Sequence, residues 1–188
     1  MRNLRDNIIG GKLMDIKIIK PTLEYAEDIW KFRQEIIDSD DKDKFAGCGN
    51  LEKCSSAKEW IDSIGIISNI ETCPKDKVPS NVYIAVRLND NRIVGIIDLR
   101  HHINHPILST WGGHIGYYVR PCERKKGYAT EMLRQNLLNC NRLGIDKVLI
   151  TCNVDNYASE RTIIANGGIF EREIEVDGEM MKRFWITL

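Results

Sequence analysis

The chain has no excess charge of either sign, since 27 lysines and arginines are matched by 27 aspartates and glutamates. That balance removes the long-range field that drives binding to nucleic acid or to an anionic membrane. Long apolar runs are missing too: none approaches the roughly 20 residues of a membrane-spanning helix, and no signal-peptide core is visible. Six cysteines are present, but Cys48, Cys54, Cys73, Cys122, Cys140 and Cys152 form no C-x-x-C pair, which suits reduced thiols better than a disulfide framework or a zinc site. These absences predict a cytoplasmic protein. With no internal repeat or low-complexity tract, and with 43% hydrophobic residues over 188 positions, one core and one domain are expected.

What is present concentrates in one segment, Tyr117-Tyr118-Val119-Arg120-Pro121-Cys122-Glu123-Arg124-Lys125-Lys126-Gly127-Tyr128-Ala129-Thr130. Ile115 to Val119 are strand formers and Pro121 ends the strand. From Ala129 the apolar residues Ala129, Met132, Leu133, Leu137 and Cys140 recur at helical spacing until Gly144 stops the helix. The basic loop therefore precedes a helix N-terminus, where unpaired N–H groups and the positive end of the helix dipole favour an anion. Gly127 permits close backbone approach and Ala129 keeps the first turn slim. A Walker loop would need a Gly-Lys-Ser/Thr ending and a dinucleotide fingerprint three spaced glycines; neither is present.

Arg124-Lys125-Lys126-Gly127-Tyr128-Ala129 resembles the R-x-x-G-x-A pyrophosphate loop of the GNAT superfamily of acyl-CoA-dependent N-acetyltransferases. Further on, Lys147 to Cys152 is a β-branched run of the kind buried in a sheet, followed by Asn153, Asn156, Ser159 and a short helix from about Tyr157 to Asn166. This resembles the second landmark of the family, in which the strand splays from its neighbour and the pantetheine arm lies in the gap. The matching cofactor contacts are Asn156 and Ser159, which are also good N-cap and first-turn residues in their own right. The resemblance runs from Met14 to Leu188, with its specific motifs in Gly112 to Phe170. It implies acetyl-CoA as co-substrate, no metal, and a cofactor site made of Tyr118, Val119, Arg124, Lys125, Lys126, Gly127, Tyr128, Ala129, Thr130, Asn156 and Ser159. Backbone N–H groups of Tyr118 and Val119 would hold the thioester oxygen and pantetheine.

The same resemblance frames the chemistry, an amine attacking a thioester carbonyl after losing a proton. Family members often carry a tyrosine seven residues after the landmark asparagine to protonate the leaving thiolate; here that position is Ile163. Tyr157, Ser159 or water could replace it, or no acid is needed. His114 occupies the strand position of the usual family base, and histidine suits proton transfer at neutral pH; Asp98 is the alternative. A His in a strand is also commonly a structural residue. His101, His102 and His105 lack metal-ligand spacing and a completing carboxylate or thiol. By analogy the segment Lys44 to Lys53, with Phe45, Cys48 and Asn50, and the loop before Trp111 wall the acceptor site. Glu171, Glu173 and Glu175 on one strand face could attract a cationic amine or simply be solvated. The implied acceptor is a primary amine on a small molecule, with protein N-terminal or lysine amines as the alternative and a degenerate CoA-binding sensor as a different class. No nucleic-acid or membrane partner is expected, and homodimer formation is open.

The remaining elements predict a mixed α/β (α+β) domain over residues 14–188. Its sheet is expected to be largely antiparallel, and the resemblance implies six to seven strands, splayed at the centre and flanked by about four helices. Strands are expected at Ile16 to Ile19, Asn81 to Arg87 and Arg92 to Leu99, the last two joined at Asn89-Asp90-Asn91; helices at Leu23 to Ile37 and Ser56 to Ile67; and a second hairpin at Asp177-Gly178. Met1 to Leu13 lack periodicity. Gly10-Gly11-Lys12 can be encoded by a ribosome-binding-site-like stretch, so these residues are expected to be an upstream extension, with translation starting at Met14 or, alternatively, a plain tail preceding it.

Overall fold

A computed structural model of the chain describes residues 15–188; the expected extension over residues 1–13 lies outside them. Seven strands form two antiparallel sheets. β1 (Ile16–Ile19), β2 (Ser80–Arg87), β3 (Arg92–Arg100) and β4 (Tyr117–Val119) follow one another in a four-stranded sheet, and β5 (Lys147–Asn153), β7 (Glu179–Thr187) and β6 (Ile169–Val176) make a three-stranded one with β7 in the middle. The expected single sheet is thus split between β4 and β5. Four α-helices, α1 (Ala26–Ile37), α2 (Ala57–Ser68), α3 (Tyr128–Arg142) and α4 (Tyr157–Ala165), complete the mixed α/β fold. Among the described residues no helix is long and apolar enough to cross a membrane.

Helix faces and strand alternation divide the interior in two. α1 buries Ile29, Phe32 and Ile36, and α2 buries Ala57, Trp60 and Ile64, each at helical spacing; they meet Val82, Ile84, Ile93, Ile96 and Tyr118 on one face of the sheet. α3 buries Met132, Leu133, Leu137 and Cys140 on the other, against Ala85, Val94, Ile97 and Leu99, and this second cluster runs on into Ile150, Ile163 and Phe184. Tyr117 and Val119 join the α3 side while Tyr118 joins the α1–α2 side, as a period of two requires. All six cysteines are free.

Local chemistry explains the ends. Ser56 caps α2 by accepting from the Glu59 N–H, and the Glu59 carboxylate returns to the Ser55 N–H. Asp177 and Gly178, both with positive φ, turn β6 into β7. Three elements differ from expectation. Leu23–Tyr25 is a 3-10 turn ahead of α1. β4 is shortened to three residues because Gly116 donates its N–H to the Asp98 carboxylate, at 2.6 Å, in place of a regular ladder partner. A register shift between Phe170 and Arg172 takes Glu171 out of line with Glu173 and Glu175, and it pairs instead with buried Arg183 at 2.6 Å.

Candidate active site

The split between the sheets is closed at one end by one residue pair. The His114 N–H donates to the Leu149 carbonyl at 2.8 Å, and the Leu149 N–H donates to His114 Nδ1 at 2.9 Å. Beyond that joint, β4 and β5 are not paired among the described residues. The Asp98 N–H bonds to Gly116 O and the Arg120 N–H to Val94 O, so residues 116, 118 and 120 turn their backbone toward β3. Tyr117 and Val119 then turn theirs toward the gap. Of the two amides expected at the thioester, Val119 faces the gap and Tyr118 faces β3.

The gap leads to the loop before α3. Lys125 and Gly127 both have positive φ, at 61° and 85°, which curls the backbone around the helix start. No side chain caps α3 at Gly127, so the first-turn N–H groups of Tyr128, Ala129 and Thr130 have no capping partner. An uncapped helix start of this shape can hold an anion. The cations beside it are less free than their sequence suggests. Arg120 is 1% exposed and holds Asp28 and Glu35, each at 2.8 Å. Arg124 lies over the Tyr118 ring and makes a bidentate pair with Asp41 at 2.6 Å. Lys126 pairs with Glu123 at 2.8 Å. Lys125 alone of the loop's basic residues has no ion pair among the described residues.

Across the mouth of the gap lies a segment the sequence did not mark. Asp41, besides holding Arg124, accepts from the Tyr118 hydroxyl; Arg124 and that hydroxyl keep its carboxyl well below the usual carboxylate range despite partial burial. Asp43, two residues on, accepts from Asn153 Nδ2 at 2.9 Å and Asn156 Nδ2 at 3.1 Å, and Lys42 bridges to Asp155 at 3.2 Å. The segment thereby ties the β4 side to the β5 side. Asn156 also caps α4, accepting from the Ser159 N–H at 3.0 Å. Ser159 Oγ lies 2.7 Å from the Tyr117 hydroxyl.

A family model described as the acetyltransferase (GNAT) domain matches residues 17–169. The chain belongs to the GNAT family of acetyltransferases. As a family member it is an acyltransferase that uses acetyl-CoA as co-substrate. Solved structures share its fold. The microcin C7 self-immunity acetyltransferase, in complex with acetyl-CoA and AMP, is 19% identical with a TM-score of 0.65, covering 93% of each chain. The ribosomal L7/L12 α-N-protein acetyltransferase, in complex with CoA, is 16% identical with a TM-score of 0.64, covering 94% of this chain and 96% of that one. A GNAT acetyltransferase from Bacillus anthracis is 17% identical with a TM-score of 0.59 and covers 94% and 96%. A search of curated protein sequences finds no match.

Within this acetyltransferase the other expected site residues are placed as follows. His114 is 5% exposed; burial, reinforced by the nearby Arg100 charge, lowers its pKa to about 4. Its Nδ1 lone pair is occupied by the Leu149 N–H, which puts the ring proton on Nε2. A base needs a free lone pair, and this ring has none to offer without breaking the joint. Asp98 is buried with its carboxylate on the Gly116 N–H and 3.1 Å from Arg100, and burial pushes its pKa up. Phe45 and Cys48 are core residues rather than an open wall, at 8% and 0% exposure. Asn50 accepts from Ser63 Oγ. The loop they belong to is pressed against the chain just ahead of β4: a Cβ built on Gly47 would sit 2.1 Å from Gly116 O. The loop before Trp111 is held by Arg183, which donates to Ser109 O and Thr110 O. Among the described residues no three His, Cys, Asp or Glu side chains are grouped to hold a metal.

Proposed function

We propose that the protein transfers the acetyl group of acetyl-CoA to a primary amine on a small molecule, by direct attack in a ternary complex in the cytoplasm. One observation carries the choice of acceptor. The α1–α2 connection is pressed at Gly47 against Gly116, just ahead of β4, with Phe45 and Cys48 buried beneath it, which leaves the acceptor side little open wall for a protein surface. Pyrophosphate fits the cradle at Arg124 to Thr130, and pantetheine fits the gap beside Val119, Asn156 and Ser159. With the His114 lone pair engaged, Asp98, whose carboxylate faces the acceptor loop, serves as proton acceptor in this reading.

Two other readings each have an observation behind them. The structural relatives named for self-immunity to microcin C7 and for ribosomal L7/L12 protein differ in what they are named for, so a protein amine is the second acceptor class. Ile163, fully buried where a helix tyrosine would serve as acid, favours a CoA-binding module without turnover. The test is CoA release from acetyl-CoA across a panel of polyamines, amino acids, amino sugars and peptides, beside calorimetry with CoA. Release with a small amine is expected. Release with peptides alone would assign a protein acceptor, and tight CoA binding without release across the panel would assign the binding module.

A further inference from the structure

Ile163 is packed into the core, yet one turn earlier on α4 the Ser159 hydroxyl meets Tyr117, which reaches up from β4. The Tyr117 hydroxyl is 2.7 Å from Ser159 Oγ and 3.4 Å from the Ser159 carbonyl. Tyr117 is also one of the two β4 residues whose backbone faces the gap, so its amide faces the gap while its hydroxyl reaches the start of α4. Around that hydroxyl stand the Thr162 hydroxyl of α4 and, from β5, the Cys152 thiol, pushed up to about 11 by burial. No carboxylate or cation is paired with it among the described residues, and burial pushes the phenol's own pKa up, so it stays protonated.

We propose that Tyr117, backed by Ser159, is the hydrogen-bond donor to the departing CoA sulfur. This rests on the acetyl-transfer reading above. The amine nitrogen bonds to the acyl carbon, the carbon–sulfur bond breaks, and its electron pair goes to sulfur. Ser159 donates to the Tyr117 oxygen and Tyr117 donates to the sulfur, a chain in which each bond strengthens the next. The phenol holds its proton too tightly for full transfer to a thiolate. It stabilises charge as it develops, and the thiol proton arrives from solvent while the amine's proton leaves on the acceptor side.

The test compares CoA with desulfo-CoA by calorimetry at pH 7 and pH 9. A donor at the sulfur favours the thiolate, so the wild-type preference for CoA over desulfo-CoA should rise by about tenfold with pH. Tyr117→Phe should lose that gain and Ser159→Ala part of it, each measured against the same variant's own affinity for desulfo-CoA. On an acceptor found in the panel, Tyr117→Phe should lower kcat with little change in the KM for acetyl-CoA. A folded Tyr117→Phe protein that keeps the pH-dependent gain would overturn the assignment. So would a wild-type complex in which thiolate absorbance shows the bound thiol no more acidic than free CoA, a measurement that needs no variant. If wild type binds neither CoA nor desulfo-CoA, the acetyl-transfer reading falls as well.

Discussion

His114 and Leu149 exchange two hydrogen bonds, one through the histidine backbone at 2.8 Å and one through its ring at 2.9 Å, and together they join the two sheets where the gap begins. A side chain doing the work of a peptide carbonyl has predictable thermodynamics. In the folded protein the ring stays neutral down to about pH 4, against 6.5 for an unperturbed histidine. Between those values the unfolded chain binds the extra proton, so His114 withdraws stability as pH falls through that window, by about 3 kcal/mol in all, and contributes no pH dependence above it.

His114→Ala should therefore cost stability first. It strips the Leu149 N–H of its acceptor and leaves a hole, an expected loss of about 2–4 kcal/mol at pH 7.5 by urea unfolding. The variant's stability should also depend less on pH between 6.5 and 4 than the wild type's. Its rate–pH profile, per folded molecule, should be unchanged. A folded variant slowed about 100-fold at constant CoA affinity would instead return His114 to the role of base.

Gly127→Glu should abolish CoA binding while leaving the fold in place. The position has φ of 85°, so any side chain there is strained by about 1 kcal/mol, and a carboxylate adds like charge at the uncapped start of α3. Calorimetry reads the affinity, and Gly127→Ala separates the strain from the charge. Unchanged CoA binding in Gly127→Glu would remove the pyrophosphate assignment.

Asp41→Asn should tighten CoA binding, by about threefold or more, because it releases Arg124 from the bidentate pair and leaves the guanidinium to the phosphates. Raising the salt concentration should weaken CoA binding to the variant more steeply than to the wild type. Weaker binding in the variant would show that Asp41 orients Arg124 for the ligand instead of competing with it.

Much of the frame could be read from spacing alone. β1 has the bounds expected, α2 starts after its Ser56 cap, and the loop from Arg124 to Ala129 opens α3 beside the gap. These features are local, and local chemistry determines them. The misreadings involve partners distant in sequence. Arg120 stands in the basic segment ahead of α3, but Asp28 and Glu35 on α1 pair with its buried charge. Phe45 and Cys48 looked like loop residues, and packing with Phe32, Trp60 and Ile64 of α1 and α2 puts them in the core. Asp41 lies 83 residues from Arg124, and Asp43 lies 113 from Asn156, separations at which no periodicity or motif operates. Tyr117 was legible only as a strand former. That its hydroxyl meets α4 follows from the face β4 presents, the α3 side that Tyr117 shares with Val119.

The segment from Asp41 to Asp43 touches both banks of the gap, holding Arg124 and Tyr118 on one side and Asn153 and Asn156 on the other. In the reading proposed above both banks contact CoA, Arg124 at the pyrophosphate and Asn156 at the pantetheine, so a ligand that lifts the segment from one bank weakens its hold on the other. The coupling is reciprocal: whatever factor the occupation of one end contributes to binding at the other, that end returns. The dissociation constant of a CoA fragment would then understate what the same contacts contribute in the whole molecule.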